Sequence, residues 1–485
     1  MNDTFNVPLI IRGKIIEEYE LQFGGRHSGV SFNTPDVSRY IDKLALSAPS
    51  AMGDLYQLTF AEIADYLQEL GKRLAFGQNP HMQAAFEMSC YTSGMSESIL
   101  RNFYALVPQM FNRQEIYDIA EISCGIEYLE GWVEQTASRR EGIKAYVRAF
   151  GARAVHVVPG NHPAASAMTV IRNAITRSDA IIKTPSNDPL TAMAIARSMI
   201  EMAPDHPLTK HLSVAYWKGG DEKVESQLYD PRKIEKIIAW GGFNSIKHVT
   251  QYLQPGIDLI TLDPKLSSTI IGKEAFADDA TTKSVARRLA LDVGALNQEG
   301  CVNARVIYVQ SGTDEAGMER CRKLAEFTFN ALQNLPDTIS TPHKEFDPEL
   351  KDELEAVKMM DDDYAVYGGS SNEGAVIVSY DGVPVDFSRI LACRVGNLVP
   401  IDDIDIAIKS VNAYTQTIGI YPDTLKVELR DRLSYQGAQR LVSLGGAALL
   451  ECGTQRQDGI EPIRRMCKWI TDEYDDGKQL DALAG

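Results

Sequence analysis

The chain has 485 residues, of which 44% are hydrophobic and 24% charged, the proportions of a globular protein large enough for two α/β domains with insertions or about three smaller ones. The net charge of −17 disfavours nucleic acid as a partner, because binding to a phosphate backbone needs a basic surface. No segment approaches the roughly 20 consecutive apolar residues of a membrane span.

Residues 1–6 lack the basic and then apolar pattern of a secretory signal or transit peptide, so we expect a cytoplasmic protein. Seven cysteines without C-x-x-C spacing predict reduced thiols and imply no metal site. Short β-like runs open the chain at residues 7–11 and 14–16. Apolar residues at helical spacing then predict amphipathic helices within residues 37–70, 83–111 and 113–133.

From residue 144 onward, strand and helix patterns take turns. The predicted strands are residues 155–158, 180–183, 212–216, 233–239 and 258–262. The predicted helices are residues 164–176, 189–202, 223–229 and 245–252. This alternation predicts a parallel, doubly wound sheet that binds ligands at the carboxyl ends of its strands.

A second α/β series follows. It is predicted to contain helix 273–291, strand 306–309, helix 314–335, an exposed Pro- and charge-rich excursion at 337–363, strands 375–379 and 389–395, helix 404–415, and a segment 440–448 that leads to a short strand and a terminal helix 460–472. The fold class is therefore α/β with two doubly wound parallel-sheet domains.

Cys301 lies between a polar turn and the strand 306–309. Gln298, Glu299, Gly300 and Asn303 surround it, whereas a cysteine of the core would have apolar neighbours. A glycine directly before the cysteine predicts that a substrate can approach the sulfur. The alternative is a buried cysteine that acts as a small apolar residue, and the thiol alone favours that alternative.

Asn161 follows the strand 155–158 in the turn Pro159-Gly160-Asn161-His162-Pro163. At the carboxyl end of a strand its amide can donate to a developing oxyanion. An ordinary asparagine in a Pro-bounded turn is the alternative, which this stretch alone favours. His162 is interpreted as structural rather than as a proton donor.

Two further strand ends carry polar or glycine-rich turns. Lys183 and Ser186 follow the strand 180–183, where an ammonium and a hydroxyl suit a ribose or a phosphate. Gly241, Gly242 and Ser245 join a strand to a helix, whose amino terminus favours an anion such as pyrophosphate. This second signal is weak, because it lacks G-x-G-x-x-G and paired glycines also serve plain turns.

Taken in chain order, these stretches resemble the aldehyde dehydrogenase superfamily and, within it, the acyl-CoA reductases of the LuxC type. The resemblance covers about residues 85–475. It is carried by Pro159-Gly160-Asn161-His162-Pro163, Trp240-Gly241-Gly242, Pro264-Lys265, Asn297-Gln298-Glu299-Gly300-Cys301 and Asp458-Gly459-Ile460-Glu461-Pro462.

The resemblance implies that Cys301 is the catalytic nucleophile and that Asn161, with the Cys301 backbone N–H, stabilises the oxyanion. It implies that Lys183 binds the adenosine ribose and that the pair Gly241-Gly242 lies along the pyrophosphate. Ser186, where a carboxylate would repel a ribose 2′-phosphate, indicates NADPH, with NADH as the alternative. The implied reaction is reduction of a fatty acyl-CoA to the aldehyde with release of coenzyme A.

One departure from the superfamily bears on the reaction. Hydrolytic members carry a general-base glutamate in Glu-Leu-Gly-Gly, whereas the corresponding residues 262–267 contain only Asp263 as an acid. A thioacyl enzyme would therefore persist until hydride arrives. Two alternatives remain open: an aldehyde dehydrogenase in which Asp263 or Glu299 activates water to give the acid, and a silent acyl-binding scaffold.

The expected domains are residues 1–265 for the helical segment and NAD(P)-binding domain, and residues 266–445 for the catalytic domain. By resemblance, residues 145–158 and 440–485 form an oligomerisation hairpin and a C-terminal return segment. The expected partners are further copies of the chain, as a homodimer or homotetramer, and a protein that transfers acyl groups.

Overall fold

The computed structural model describes residues 4–24, 30–135, 143–448, 456–475, 481 and 484–485. The chain forms two compact units. The first contains Met1–Thr92, Phe103–Asp263 and Glu451–Gly485, and the second contains Ser93–Asn102 and Pro264–Leu450. The change of unit after Asp263 lies close to the expected domain boundary at residue 265.

The strands of the described residues, in chain order, are β1 (Thr4–Asn6), β2 (Leu9–Ile11), β3 (Lys14–Ile16), β4 (Leu21–Gly24), β5 (Ser31–Thr34), β6 (Val133–Glu134), β7 (Ile143–Phe150), β8 (Arg153–Val157), β9 (Asp179–Lys183), β10 (Leu212–Ala215), β11 (Lys236–Trp240), β12 (Asp258–Leu262), β13 (Leu266–Ile271), β14 (Ala304–Val309), β15 (Tyr364–Gly368), β16 (Ala375–Ser379), β17 (Val395–Pro400), β18 (Thr415–Tyr421), β19 (Arg440–Ser443) and β20 (Lys468–Asp475).

The α-helices of the same residues are α1 (Ile41–Leu44), α2 (Phe60–Arg73), α3 (Pro80–Thr92), α4 (Glu97–Leu106), α5 (Arg113–Ser123), α6 (Ile126–Glu130), α7 (Ala164–Thr176), α8 (Thr191–Met202), α9 (Pro207–Lys210), α10 (Glu222–Leu228), α11 (Phe243–Thr250), α12 (Asp279–Gly294), α13 (Glu315–Gln333), α14 (Pro348–Lys358), α15 (Ile404–Ser410), α16 (Asp423–Gln436) and α17 (Pro462–Met466). None of these helices is both long and apolar enough to cross a membrane.

The first unit is built on a seven-stranded sheet with the order β12-β11-β8-β9-β10-β2-β3. Strands β8 to β12 run parallel, and the amino-terminal pair β2 and β3 joins the edge in antiparallel orientation. Lys183 pairs with Val157 on one neighbouring strand and with Ala215 on the other. The loops that follow these strands therefore begin at one edge of the sheet, as the sequence predicts.

The second unit contains the sheet β15-β16-β17-β14-β13-β18-β19, in which only β15 is antiparallel to its neighbour. Alternate residues of its strands face opposite layers, as Ile271 packs with α12 and α13 while Ile270 packs with α15 and α16. Helices thus cover both faces of the sheet, which explains why a strand such as β16 is apolar along nearly its whole length. The predicted doubly wound α/β class is confirmed.

A third, antiparallel sheet has the order β20-β7-β6 and belongs to the first unit. The predicted terminal helix 460–472 is wrong beyond Met466, because residues Lys468–Asp475 pair with β7 along its whole length. Within the expected oligomerisation segments, β8 instead lies in the first large sheet and β19 in the second. Self-association through residues 145–158 and 440–485, which contain most of β7 and all of β20, stays a prediction.

Several boundaries in the second unit differ from prediction. The strand expected at 389–395 begins only at Val395, and the helix expected at 404–415 ends at Ser410 so that β18 can start at Thr415. Helix α16 was not predicted, because only Leu429 and Leu433 of its residues are buried and its apolar stripe is thin.

The excursion expected at 337–363 is not simply exposed. It contains α14, which Asp347 caps by accepting a hydrogen bond from the Leu350 N–H. Ser340 and His343 within it are buried. The proline and charged residues of this segment did not indicate that part of it packs within the second unit.

Asp179 ties the amino-terminal strands to the first sheet. Its carboxylate accepts hydrogen bonds from Arg12 and from Nδ1 of His211, the latter at 2.8 Å, and the side chain is 4% exposed. Burial raises the pKa of this carboxyl, but the hydrogen bonds from Arg12 and His211 outweigh burial and hold the pKa below its ordinary value.

We therefore expect Asp179→Asn to lower the free energy of unfolding by about 3 kcal/mol at neutral pH, because the Arg12 charge loses its buried partner. A depressed carboxyl pKa contributes stability above the unfolded-state value, which is lost as the pH falls through the folded-state value. Denaturant unfolding from pH 6 to below pH 4 should thus show a steeper loss in the wild type. Asp205→Asn, which removes an exposed carboxylate paired with Lys210, is the control and should match the wild type. Equal pH dependence in wild type and Asp179→Asn would contradict this account.

Candidate active site

The backbone before Cys301 is held in an unusual conformation. After α12 ends, Leu296, Asn297 and Gln298 have φ values of 59°, 52° and 65°. Consecutive non-glycine residues with left-handed φ are costly, by about 1–3 kcal/mol each, and persist only where surrounding contacts enforce them. The turn must therefore be held in place by specific contacts with its surroundings.

Buried amide side chains supply those contacts. Gln298 accepts from the Val395 N–H at 2.8 Å and donates to the carbonyls of Ala304 and Val395, both at 2.9 Å. Asn303 accepts from the Gly300 N–H at 3.0 Å and donates to the Ala295 carbonyl at 2.9 Å. Gln298 and Asn303 beside the thiol therefore hydrogen-bond to the backbone. Their polarity in the sequence had set Cys301 apart from a cysteine of the core.

Residues 339–343 contact the other side of the turn. The Leu296 N–H donates to the Ile339 carbonyl at 2.9 Å, and the Thr341 N–H donates to Oδ1 of Asn297 at 2.8 Å. Ser340 Oγ donates to the Gly294 carbonyl at 2.6 Å. A segment that the sequence indicated as exposed is thus part of the scaffold of the thiol.

Gly300 is required for a reason other than the predicted one. It is buried, and a Cβ at this position would lie 2.8 Å from Oδ1 of Asn303. The space beside it is filled by the asparagine and not left open for a substrate. The glycine is therefore needed for packing of the turn.

Cys301 itself is partly exposed, and its carbonyl accepts a hydrogen bond from Ser267 Oγ at 2.6 Å. Ser267 Oγ in turn accepts from the Thr417 N–H at 3.2 Å. The pairing register of β13 shifts at Ser267, and such irregularities often redirect a side chain next to a functional site. The nucleophile candidate is thereby fixed to the central strands of the sheet.

Two guanidinium groups lie within electrostatic reach of the thiol. Burial lowers the pKa of Arg305, while the negative charges of Cys301 and Glu299 oppose that shift. Burial likewise lowers the pKa of Arg440, and Asp292 and Cys301 oppose it. Nearby cations favour a thiolate over a thiol. Neither arginine was singled out from the sequence, because their proximity depends on the fold.

Glu299, named in the sequence as an alternative base, contacts His343. Nε2 of His343 lies 3.0 Å from Oε1 of Glu299, whose side chain is 35% exposed. His343 was also missed by sequence analysis, since a histidine in a charged segment carries no local signal.

In the first unit, Asn161 lies in the loop between β8 and α7. Asn187, from the loop after β9, donates to the carbonyl of Gly160 at 2.9 Å and fills the space where a Cβ of Gly160 would lie. This contact joins the loop of Asn161 to the loop that carries Ser186. The structure thus brings these two candidate loops together.

Lys183 ends β9, and its Nζ lies 5.8 Å from the ring centroid of the buried Trp217. Trp217 donates from Nε1 to Glu225 at 3.1 Å. The carboxylate of Glu225, next to the ring that Lys183 approaches, is therefore already hydrogen-bonded. Ser186 is partly exposed in the following turn. A neutral hydroxyl at this edge fits the prediction of a phosphate or ribose.

Gly241 and Gly242 follow β11, and Gly242 is the N-cap of α11 without a side-chain cap. Nothing lies within 4 Å of a Cβ built on Gly242, and Ser245 is exposed on the first turn. Exposed N–H groups at a helix start are compatible with an anionic ligand.

His162 has the surroundings of a structural side chain, as the sequence indicates. Burial lowers the pKa of its imidazole to about 4, and the ring packs against Phe103 and Trp240. It is therefore a neutral, structural side chain at neutral pH. Of the candidate residues, Cys301 belongs to the second unit, and Asn161, Lys183, Ser186, Gly241, Gly242 and Ser245 belong to the first.

Comparison with known proteins gives a consistent family assignment. The model of the acyl-CoA reductase (LuxC) family matches residues 56–469. The long-chain acyl-protein thioester reductase of Vibrio harveyi is 24% identical over 478 residues, covering 96% of this chain and 93% of the relative. That of Photorhabdus laumondii is 26% identical over 456 residues, with coverages of 91% and 89%.

Solved structures extend the likeness to the fold. The NADP-dependent glyceraldehyde-3-phosphate dehydrogenase of Bacillus halodurans superposes with a TM-score of 0.74 at 13% identity, covering 97% of this chain and 99% of that one. The aldehyde dehydrogenase of Bacillus cereus gives 0.74 at 12% identity, with 97% of each chain covered. The predicted aldehyde dehydrogenase-like fold is confirmed.

The packing of the turn predicts the effect of a small substitution. Gly300→Ala should reduce the free energy of unfolding by about 1–3 kcal/mol, because its methyl group displaces Asn303 from the backbone groups that it bonds. Gly77→Ala is the matched control, since nothing lies within 4 Å of a Cβ at Gly77, and it should change stability by less than about 0.5 kcal/mol. Both are measured by denaturant unfolding, and equal midpoints would show that the turn tolerates the methyl group.

Proposed function

Because this chain belongs to the LuxC acyl-CoA reductase family, we propose that it reduces a long-chain fatty acyl thioester to the aldehyde with NADPH and with Cys301 as nucleophile. The observation that carries the proposal is the turn at Cys301, where buried amides hold a partly exposed thiol within reach of two guanidinium groups. A cysteine that served only packing would need neither the buried amides nor the nearby guanidinium groups.

The acyl donor is a thioester of coenzyme A or of a protein. The family description names acyl-CoA, whereas the relatives are named for acyl-protein thioesters. The proposed chemistry is the same for both, because the acyl group passes from one sulfur to another in a nearly thermoneutral exchange. Coenzyme A is a product in the first case, and an acyl-transferring protein is a partner in the second.

Cys301 attacks the thioester carbonyl as a thiolate, which the positive charges of Arg305 and Arg440 favour. On the family resemblance, Asn161 and the Cys301 backbone N–H donate to the oxyanion. The carbonyl of Cys301 is already held by Ser267, so its peptide group is fixed before substrate binds.

The first unit would hold the nicotinamide cofactor. Lys183 and Ser186 are proposed to contact the adenosine ribose and its 2′-phosphate, and Gly241, Gly242 and Ser245 the pyrophosphate at the start of α11. The exposed helix terminus and the neutral hydroxyl of Ser186 fit these anionic groups. When bound, the reduced nicotinamide supplies the hydride for the thioacyl group.

The thiol assignment predicts a covalent adduct. With a fatty acyl-CoA and no NADPH, the wild type should gain one acyl mass at Cys301, and with NADPH it should oxidise the cofactor and form aldehyde. Cys301→Ala should lose the adduct and at least about 1,000-fold of the rate, because no other group forms the intermediate. Cys90→Ala, which removes another partly buried thiol, is the control. Equal NADPH oxidation by both variants would refute the assignment.

The cofactor assignment predicts a change of preference. Ser186→Glu should reduce kcat/KM for NADPH relative to NADH by at least about tenfold, because like charges placed opposite each other cost several kcal/mol. Ser186→Gln has the same length without the charge and should keep most of the preference for NADPH. The measurement is steady-state oxidation of both cofactors with one acyl-CoA. An unchanged ratio in Ser186→Glu would place the 2′-phosphate elsewhere.

A further inference from the structure

Glu299, His343 and Cys393 form one hydrogen-bonded cluster in the second unit. Nε2 of His343 lies 3.0 Å from Oε1 of Glu299, and the imidazole also bonds Cys393. The His343 side chain is 6% exposed and Cys393 is 5% exposed, whereas the Glu299 side chain is 35% exposed. The carboxylate is therefore the accessible end of an otherwise buried cluster.

The cluster fits closely against its surroundings. A Cβ on Gly94 would lie 2.6 Å from Oε1 of Glu299 and 3.2 Å from Nε2 of His343. The backbone thus approaches the hydrogen bond so closely that no side chain fits there. Such packing leaves Oε1 no room to move toward Gly94.

The imidazole donates its Nε2 proton to Glu299. The Glu345 N–H donates to Nδ1 at 3.2 Å, so that nitrogen acts as an acceptor and the proton of the neutral ring lies on Nε2. Burial lowers the pKa of His343, but hydrogen bonds to Cys393 and Glu299 outweigh burial and raise it. The neutral tautomer that accepts from Glu345 and the imidazolium both carry a proton on Nε2, and in either state that proton is directed at Glu299.

Glu299 is also close to the nucleophile. It precedes Cys301 by two residues, and the charges of both act on the guanidinium of Arg305. Arg305 is fixed by donating to the Leu391 carbonyl at 2.8 Å, in the loop that leads to Cys393. The charged and titratable groups near the carboxylate therefore include His343, Arg305, Cys301 and Cys393.

A carboxylate beside a thioacyl enzyme endangers reduction. Acting as a base, it would take a proton from water while the water oxygen bonds to the carbonyl carbon. The carbon–sulfur bond would then break, the electron pair would return to Cys301, and the product would be the fatty acid. A reductase must keep such a carboxylate from water until hydride transfer is complete.

We propose that His343 is a positioning residue that holds Glu299 in its hydrogen bond and thereby directs the thioacyl enzyme to reduction instead of hydrolysis. The inference rests on the proposed thioacyl intermediate. Oε1 is occupied by the Nε2 proton, and the close approach of Gly94 limits the alternative orientations of the carboxylate. Without His343, the partly exposed carboxylate turns toward water.

The test follows the acyl adduct in the absence of NADPH. Wild type, His343→Leu, His343→Asn and His343→Gln are acylated with a fatty acyl-CoA, and adduct decay is followed by intact mass spectrometry. Leu and Asn cannot place a donor at Glu299. The half-life of the acyl adduct should therefore shorten at least about fivefold, a change within the free energy of a hydrogen bond to a charged group. Gln retains a donor at similar length and should restore the wild-type half-life.

The double variants with Glu299→Gln separate this role from general damage. The faster decay of His343→Leu and His343→Asn should disappear when Glu299→Gln is added, because the base has been removed. Decay that stays fast in the double variants, or that equals the wild type in both single variants, would overturn the inference. If the wild type forms no adduct, the proposed function fails and not this inference alone. If His343→Leu does not fold, the polar His343→Asn carries the comparison.

Discussion

The hydrogen bonds of Gln298 and Asn303 to the backbone are the constraint on which the candidate active site depends. Three successive residues shortly before Cys301 have a left-handed backbone, an arrangement of higher energy than ordinary turns. Buried side-chain amides satisfy the N–H and C=O groups that this path leaves without sheet or helix partners. The position of Cys301 is therefore determined by side chains that never need to touch a substrate.

The same turn concentrates charge around the sulfur. Arg305 and Arg440 approach from β14 and β19, strands that are not neighbours in their sheet, and Glu299 follows the amides directly. For the nucleophile proposed at Cys301, cations favour the thiolate, whereas a carboxylate would offer a competing route through water. Under the proposal above, the hydrogen bond from the buried His343 to Glu299 lets one short loop contain both groups.

Much of the fold follows from the sequence, because many strands and helices carry their apolar residues in a recognisable local pattern. Asp258–Leu262, Ala164–Thr176 and Ala375–Ser379 were predicted with the bounds that the structure shows. Local patterns do not describe elements that other parts of the chain hold in place. Helix α16 has too few buried residues to show a helical stripe, and β20 exists because β7 pairs with it.

The candidate site was predictable only in part, for the same reason. Asn161 and Lys183 lie at strand ends, and the rule for parallel sheets places strand ends at one edge. The importance of Gly300 was recognised with the wrong reason, because the neighbour that fills its space is a side chain three residues away. His343 was missed, since its contact with Glu299 joins residues that are 44 positions apart.

The left-handed path through Leu296, Asn297 and Gln298 also limits how this lineage can diversify. Valine, isoleucine and threonine are strongly disfavoured at positive φ. Substitution by these β-branched residues is therefore disfavoured at all three positions. Glycine and asparagine suit the backbone at Leu296, whereas the side-chain hydrogen bonds of Asn297 and Gln298 restrict those two positions further. Divergence among relatives of this chain would therefore fall on residues outside the turn, while the backbone path before Cys301 is inherited almost unaltered.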